Sequence, residues 1–447
     1  MTRSLDQLTD AFLTAARSAG AEAADAIAIA GTALSIDIRA GQLEQAERSE
    51  GIELGLRVLM GRRQACVSVS DTSPATLAAA AERAVAMARE APEDPCIGLA
   101  DPGQLARTWD IEALQLAEPA QEPDPAVLQA LAQRAEASAL ELGQIAQVEA
   151  SASYSFRRIH LSATNGFSAG YARSSHSVSA VAFTGEGTAM ERDWAAEGRT
   201  FGADMPAPEE IGALAARRAL ERRGARKPIT GSYPVLFDER VSASLIGHLL
   251  GAVNGASIAR GASWARDLLG QQVLPEGLSV IEDPLRPRIS GSRPFDAEGL
   301  ATRPRLIVEN GVLTGWTLDL ATGRKLGMDS TASASRGTTA PPSPSTSNID
   351  LTPGQYSREA LIAQMGTGLV ITSMIGSSIN ATTGDYSRGA AGYWVENGNP
   401  AYPVNEITVA GNLRDMLLRI VPANDARPHL SMRVPSLLVE GMTLAGA

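Results

Sequence analysis

A chain of 447 residues is too long for one ordinary core and implies two or three domains. A hydrophobic share of 44% with 20% charged residues is the composition of an ordinary globular protein, and a net charge of −11 argues against binding nucleic acid through its phosphates. Two cysteines, Cys66 and Cys96, are too few for an extracellular disulfide framework and point to a reducing compartment.

The first twenty residues, MTRSLDQLTDAFLTAARSAG, place Leu5, Leu8, Phe12 and Leu13 on one helical face with charges between them. This stretch lacks the unbroken apolar run of a signal peptide. No segment approaches the roughly 20 apolar residues that span a bilayer. The expected location is therefore the cytoplasm, with no membrane and no nucleic-acid partner.

Alternating apolar residues follow at Ile27 and Ile29, at Leu34, Ile36 and Ile38, at Ile52 to Val58, and at Val67 and Val69. Period two predicts strands with one covered face, and the glycines at 31, 41 and 61 read as breaks between four of them. Ser73-Pro74 predicts a helix through Arg89, a cap followed by proline in the first turn. Residues 1–91 thus read as an N-terminal α+β domain. The Pro-, Asp- and Glu-rich stretch 92–124 reads as a linker.

Asp124-Pro125 repeats the cap-plus-proline signal and opens a helix through Leu142. Strand-like stretches at 146–163 and 168–185 are joined by Asn165-Gly166, a strong hairpin signal, and Pro208 opens another helix to about Arg223. This central α+β segment, 125–228, resembles the first in its order of elements and hints at a duplication. From 229 to 447 the pattern becomes β-rich. It holds the strand YPVLF at 233–237, an apolar helix near 239–253, a short helix ending at Met365, and the buried strand GLVITSMIG at 368–376. The run DSTASASRGTTAPPSPSTSN, 329–348, is poor in apolar residues and is expected to be a mobile loop.

Histidines stand at 160, 176, 248 and 429, and none is close enough in sequence to another to share one helix face as metal ligands. No HExxH, CxxC or Walker loop occurs. His248 sits on the apolar helix among Leu245, Ile246, Leu249 and Leu250, where a lone histidine is usually a hydrogen-bonded core group. Asp296 and Glu298 in SRPFDAEG are two carboxylates two residues apart. On a strand they would raise one another's pKa as an acid/base pair does; in a turn they would cap backbone amides.

The segment TGDYSRGAAGYWVENG, 383–398, sets Arg388 among glycines beside Tyr386, Tyr393 and Trp394. Aromatic and arginine side chains of this kind anchor interfaces when exposed, and pack a glycine-kinked hairpin when buried. Composition leaves both readings open.

Together with YPVNEITVAGNLRDML at 402–417, SRPFDAEG at 292–299, RKLG at 324–327, GTGLVIT at 366–372 and SLLVEGMTLAG near the end, that segment closely resembles the TldD/PmbA family on its TldE (PmbA) branch. The match runs along essentially the whole chain. The resemblance implies an α+β chain ending in a curved, barrel-like β domain, and a metallopeptidase built from two related subunits. In the TldD subunit a HExxxH helix and a C-terminal cysteine form the metal site. Setting the second histidine of that motif on His248 puts Ala243 and Ser244 where the first histidine and the glutamate belong. The C-terminal half of this chain has no cysteine.

By that resemblance this is the subunit without catalytic residues or a metal, and zinc is expected in a TldD partner. Tyr386, Arg388, Tyr393, Trp394, Glu396, Asn405 and Glu406 are the candidate interface or peptide-binding residues, with Asp296 and Glu298 weaker ones. The expected partners are a TldD-type subunit and unfolded or extended peptides, with a homodimer possible when the chain is alone. Two alternatives stand beside this: a stand-alone regulator of the DNA-gyrase-modulator type, and an independent hydrolase using Asp296, Glu298 and His248.

Overall fold

A computed structural model describes residues 3–119, 121–187 and 190–446. The first half runs α1 (Leu5–Ser18), β1 (Ala23–Arg39), β2 (Gln42–Met60), β3 (Arg63–Val69), α2 (Pro74–Glu90), α3 (Ile111–Leu114), α4 (Pro125–Glu141), β4 (Gln147–Ala163), β5 (Ser168–Thr184), β6 (Glu191–Arg199) and α5 (Pro208–Glu221). The second half begins with β7 (Gly231–Phe237), α6 (Glu239–Ala252), α7 (Gly255–Ala259), β8 (Val280–Glu282), β9 (Arg305–Glu309), β10 (Val312–Leu313), α8 (Leu320–Leu326), β11 (Ala334–Ser335) and β12 (Ser343–Pro344). It ends with β13 (Ile349–Leu351), α9 (Arg358–Met365), β14 (Gly368–Ile379), β15 (Asp385–Glu396), β16 (Asn399–Asn412), α10 (Leu413–Leu417), β17 (Ile420–Pro422), β18 (Met432–Arg433) and β19 (Leu437–Ala445).

The two cap-plus-proline signals start helices where the sequence places them. Ser73 Oγ accepts from the Thr76 amide at 3.4 Å, and Asp124 Oδ1 from the Ala126 amide at 2.9 Å, with proline opening each first turn. The strands of both halves of this region join one antiparallel sheet in the order β3-β2-β1-β4-β5-β6. Its joint is the β1–β4 ladder, from Asp25 opposite Ala163 to Arg39 opposite Glu149.

Alternation along β1 divides the sheet's faces. Ala24, Ala26 and Ala28 pack under α1 and α2, in a core with Phe12, Leu56 and Leu77. Leu34, Ile36 and Ile38 continue the same face under α4 and α5, with Leu128, Val148 and Ile211. Ile27 and Ile29 point the other way, toward an aromatic cluster of Trp109, Phe167, Tyr171 and Phe295. The Phe295 ring lies 5.0 Å from Phe167 and 5.4 Å from Trp109, so SRPFDAEG is anchored on the sheet by its aromatic residue.

Four strands were expected before α2, and the structure has three. Gly31 is no break but lies inside β1 opposite Gly51 and Arg157, where a Cβ would overlap the Phe156 carbonyl. A glycine in a strand marked close approach of backbones rather than a turn. The stretch 92–124 also does more than connect. Arg324 donates to the carbonyls of Cys96 (3.1 Å) and Leu99 (2.9 Å), Lys325 pairs with Asp94 at 2.7 Å, and the Ala106 amide donates to Gly299 at 2.9 Å. It straps the sheet to the second half.

In that half, β16, β15, β14, β7 and β19 form consecutive ladders, and β19 closes back on β16 at residues 408–410. The result is a closed five-stranded barrel within a β-rich domain, with β17 on the outer side of β19. Helix α6 packs Leu245, Ile246 and Leu249 against Val235, Phe237, Leu369 and Ile371 of the barrel wall. A smaller sheet, β10-β9-β8-β13-β18, stands beside it.

The run 329–348 is ordered rather than mobile. Ser333, Ala334, Thr338 and Asn348 are buried, and Arg336 pairs with Asp25 of β1 with its side chain fully enclosed. Asp25 also accepts from Arg57 Nε of β2 at 2.6 Å, so two arginines flank one buried carboxylate where the halves meet. Gly55 of β2 lies so near Thr338 that a Cβ would overlap its backbone. Hydroxyl and backbone hydrogen bonds, such as Thr331 Oγ1 to Ser333 Oγ at 2.9 Å and Asn348 Nδ2 to Ser292 Oγ at 2.7 Å, hold the run in place of apolar side chains.

Candidate functional site

Asp238 caps α6 through its Oδ1, which accepts from the Arg240 amide at 3.2 Å. The helix carries Ala243 and Ser244, both partly buried, and His248 four residues beyond Ser244. Ser244 Oγ is turned back on its own helix, donating to the Val241 carbonyl at 2.6 Å. The His248 ring stands edge-on to Tyr386 with centroids 5.9 Å apart, and its buried Nε2 has no hydrogen-bond partner among the described residues. Burial lowers the His248 pKa below its ordinary value and nearby Arg388 adds to the shift, so the ring is neutral at pH 7.

A zinc site requires about three protein ligands, and this helix offers one imidazole nitrogen. Among the described residues no three His, Cys, Asp or Glu side chains converge where an ion could sit. The residues present do not fit a resident metal. His160 and His176 are hydrogen-bonded within the first half, to Thr9 Oγ1 at 3.1 Å and Glu118 Oε2 at 2.8 Å, and His429 Nε2 lies 3.1 Å from Glu197.

Strand β15 carries most of the candidate surface, and its residues divide by alternation and by end. Tyr386 and Trp394 are buried in the barrel, not exposed. The Tyr386 hydroxyl meets Met374 Sδ at 3.3 Å, and burial pushes its pKa up to about 12, opposed by Arg388. Trp394 packs edge-on to Tyr233 at 4.9 Å and stacks on Tyr402 at 6.5 Å. Both rings extend the core, because the small residues between them, Gly389 to Gly392, let β14 approach closely; a Cβ on Gly392 would overlap the Val370 carbonyl.

Tyr393 is a brace. Its hydroxyl accepts from Arg358 Nη2 at 2.7 Å, and Arg358 in turn pairs with Asp238 at the start of α6. Arg388, half-buried, donates from Nε to the Gly376 carbonyl at 2.8 Å, beside Ile375, which is 74% exposed. Glu396 is exposed at the far end of the strand. Tyr386 and Glu396 are ten positions apart on an extended strand, roughly 30 Å, so these residues do not converge on one pocket within this chain.

Asn405 and Glu406 form a bulge in β16, two residues facing Ala391, with Glu406 at φ +51°. Asn405 Nδ2 reaches Glu191 of β6 at 3.4 Å, and Glu406 pairs loosely with Lys227 at 3.5 Å. They help join barrel to sheet.

Asp296 and Glu298 lie in a turn. Asp296 Oδ1 accepts from the amides of Glu298 and Leu300, each at 2.9 Å, and Oδ2 from Ala334 at 3.1 Å. Burial raises its pKa against those three amides. Glu298 Oε2 accepts from the Leu320 amide at the start of α8 at 2.9 Å. Its pKa is raised to about 8, by burial first and by Asp296 second. These carboxylates organise backbone, and among the described residues no nucleophile or histidine is hydrogen-bonded to them. Neither Arg336, which links the halves, nor Arg358, which ties α9 to the start of α6, is signalled by the local sequence; Arg336 stands there only as the one cation in a Ser/Thr/Pro run.

Comparison with known proteins agrees along the chain. The family profiles described as PmbA/TldA metallopeptidase domain 1, central domain and C-terminal domain match residues 24–88, 118–223 and 230–446. The chain is 38% identical over 439 residues to the metalloprotease PmbA of Escherichia coli O157:H7, covering 97% of this chain and 94% of that protein. It is 35% identical to a PmbA homolog of Haemophilus influenzae, covering 96% and 94%. Among solved structures, a Bacteroides thetaiotaomicron protein named as a candidate modulator of DNA gyrase superposes with a TM-score of 0.91 at 25% identity, covering 98% of each chain. TldE from Thermococcus kodakarensis shares the fold, with a TM-score of 0.83 at 18% identity over 98% of this chain and all of that one. Profiles across all three regions and full-length identity to PmbA place this chain in the PmbA/TldD metallopeptidase family, on its PmbA (TldE) branch.

Proposed function

We propose that this chain is the non-catalytic subunit of a cytoplasmic, heterodimeric metallopeptidase that cleaves unfolded or flexible peptides. A TldD-type partner supplies zinc and the catalytic residues, and this chain helps complete the peptide site and supports the partner's metal centre. The observation that carries the reading is α6. It packs into the barrel beside β14 and β15, yet presents Ala243, a self-bonded Ser244 and a single imidazole nitrogen on His248.

The spread of the candidate residues fits a site completed across two chains. Arg388 and exposed Ile375 at one end of the barrel form the contact surface near His248, whereas Tyr386 and Trp394 shape the wall behind it. No helix is long and apolar enough to cross a membrane among the described residues.

A second reading, a stand-alone regulator acting on a protein client such as DNA gyrase, draws on the name of the Bacteroides relative. One experiment separates the two. The chain is purified alone and together with a TldD-type subunit from the same cell, and each preparation is assayed for bound zinc and for cleavage of an unstructured peptide. Zinc and cleavage confined to a one-to-one complex support the subunit reading. Stoichiometric zinc or cleavage in the isolated chain would overturn it, and failure of the two chains to associate would favour the regulator.

A further inference from the structure

The longest open sheet edge in the first half belongs to β2. On one side β2 pairs with β1 along its whole length, but on the other β3 reaches only from Leu54 to Met60. Among the described residues, Gln42–Glu53 receives no backbone hydrogen bond on that side, and every residue from Gln42 to Gly51 is exposed. Unpaired strand amides and carbonyls are a template for another extended chain.

The edge's charge selects what that chain would be. Glu44, Glu47, Glu50 and Glu53 recur every third residue, against one cation, Arg48. Arg48 is itself shared between Glu50 at 3.0 Å and Glu122 at 2.8 Å, and Glu44 is matched by Arg39 at 3.1 Å. Glu47 and Glu53 are left without an ion-pair partner among the described residues, and the edge is net acidic. Opposite charges across neighbouring strands stabilise pairing and like charges oppose it, so the edge disfavours a second copy of itself.

We infer that the Gln42–Glu53 edge of β2 binds an extended, basic peptide segment by strand addition. Backbone hydrogen bonds supply the attachment, and the spaced glutamates prefer lysine or arginine on the incoming strand. Glu50, Gly51 and Ile52 also line a cleft of about 1040 Å3 beside the start of α1, which gives side chains on the helix-covered face room to enter. The inference concerns the isolated chain and does not depend on the partner-subunit reading.

The test uses the full chain and two twelve-residue peptides, one alternating lysine with threonine and one alternating glutamate with threonine. Binding is followed by fluorescence anisotropy, and hydrogen exchange is measured across residues 42–53. The expected result is binding of the basic peptide only, slowed exchange at alternate amides of 42–53, and about tenfold weaker binding for the Glu47→Lys/Glu53→Lys variant. Both positions are exposed, so the variant is expected to fold, which its thermal melt checks. Equal binding of both peptides, unchanged affinity in the variant, or no slowed exchange in 42–53 would overturn the inference. So would slowed exchange that appears without peptide and grows with protein concentration, since the edge would then be an interface between copies.

Discussion

Glu298 Oε2 accepts a hydrogen bond from the backbone amide of Leu320 at 2.9 Å, so a carboxyl group from the turn SRPFDAEG sits on the first residue of α8. Its pKa is raised to about 8 from an ordinary 4.5. The folded protein therefore keeps a proton there that the unfolded chain has released, and stability is lost as pH rises from about 4.5 to about 8. Thermal melts from pH 5 to pH 9 are expected to fall, with Glu298 contributing on the order of 4 kcal/mol. Glu298→Gln is expected to flatten that part of the profile, and a variant whose profile matches the parent would refute the assignment.

Asp296 has a different job. With both oxygens on three amides, Asp296→Ala leaves buried backbone donors unpaired and is expected to cost about 2–4 kcal/mol of stability. The independent-hydrolase alternative instead expects an intact fold with lost cleavage. Calorimetry beside a peptide-cleavage assay of the isolated chain distinguishes the two.

Arg336 joins the run 329–348 to β1 through Asp25. Asp25 keeps Arg57 as its partner when Arg336 is lost, so Arg336→Ala removes one charged contact between the halves and is expected to cost about 1–3 kcal/mol. The matching observation is proteolysis. In the parent the run is expected to resist cleavage despite its Ser/Thr/Pro composition, and in the variant to be cut first.

Trp394 and Arg388 lie six positions apart on β15 and should behave differently. Trp394→Ala opens a cavity between Tyr233 and Tyr402 and is expected to cost about 3–5 kcal/mol. Arg388→Ala removes one bond to the Gly376 carbonyl and is expected to change stability by less than about 1 kcal/mol while weakening the partner complex. Melting temperatures and a titration with the TldD-type subunit read both effects.

Restoring the missing motif is a direct check on α6. Ala243→His/Ser244→Glu places histidine and glutamate ahead of His248 but adds no third ligand. The variant is expected to bind zinc weakly and to cleave no peptide by itself. Stoichiometric zinc measured after dialysis would show that a further ligand lies within reach.

What could be read from sequence was chiefly local. Ser73-Pro74, Asp124-Pro125 and Asn165-Gly166 fix caps and a turn within a few residues, and each appears where expected. Gly31 misled because a glycine that breaks a strand and one that admits a neighbouring backbone look alike in one dimension. The run 329–348 misled because its order comes from hydroxyls and arginines bonded to residues far away in sequence, which composition does not register. Tyr386 and Trp394 were read as candidate anchors, and only the closure of β16 on β19 reveals the interior they fill.

The β1–β4 ladder has a consequence for synthesis. Strand β1 pairs with β2 early, but its second edge, fifteen residues from Asp25 to Arg39, finds its first partner only at residue 149 and its last at residue 163. Until then a nascent chain displays a long, partly apolar ribbon of unpaired amides, the kind of surface on which polypeptides aggregate. The three family regions are thus not three folding steps: a fragment ending near residue 118 is expected to precipitate, whereas one extending through α5 closes the sheet and stays in solution.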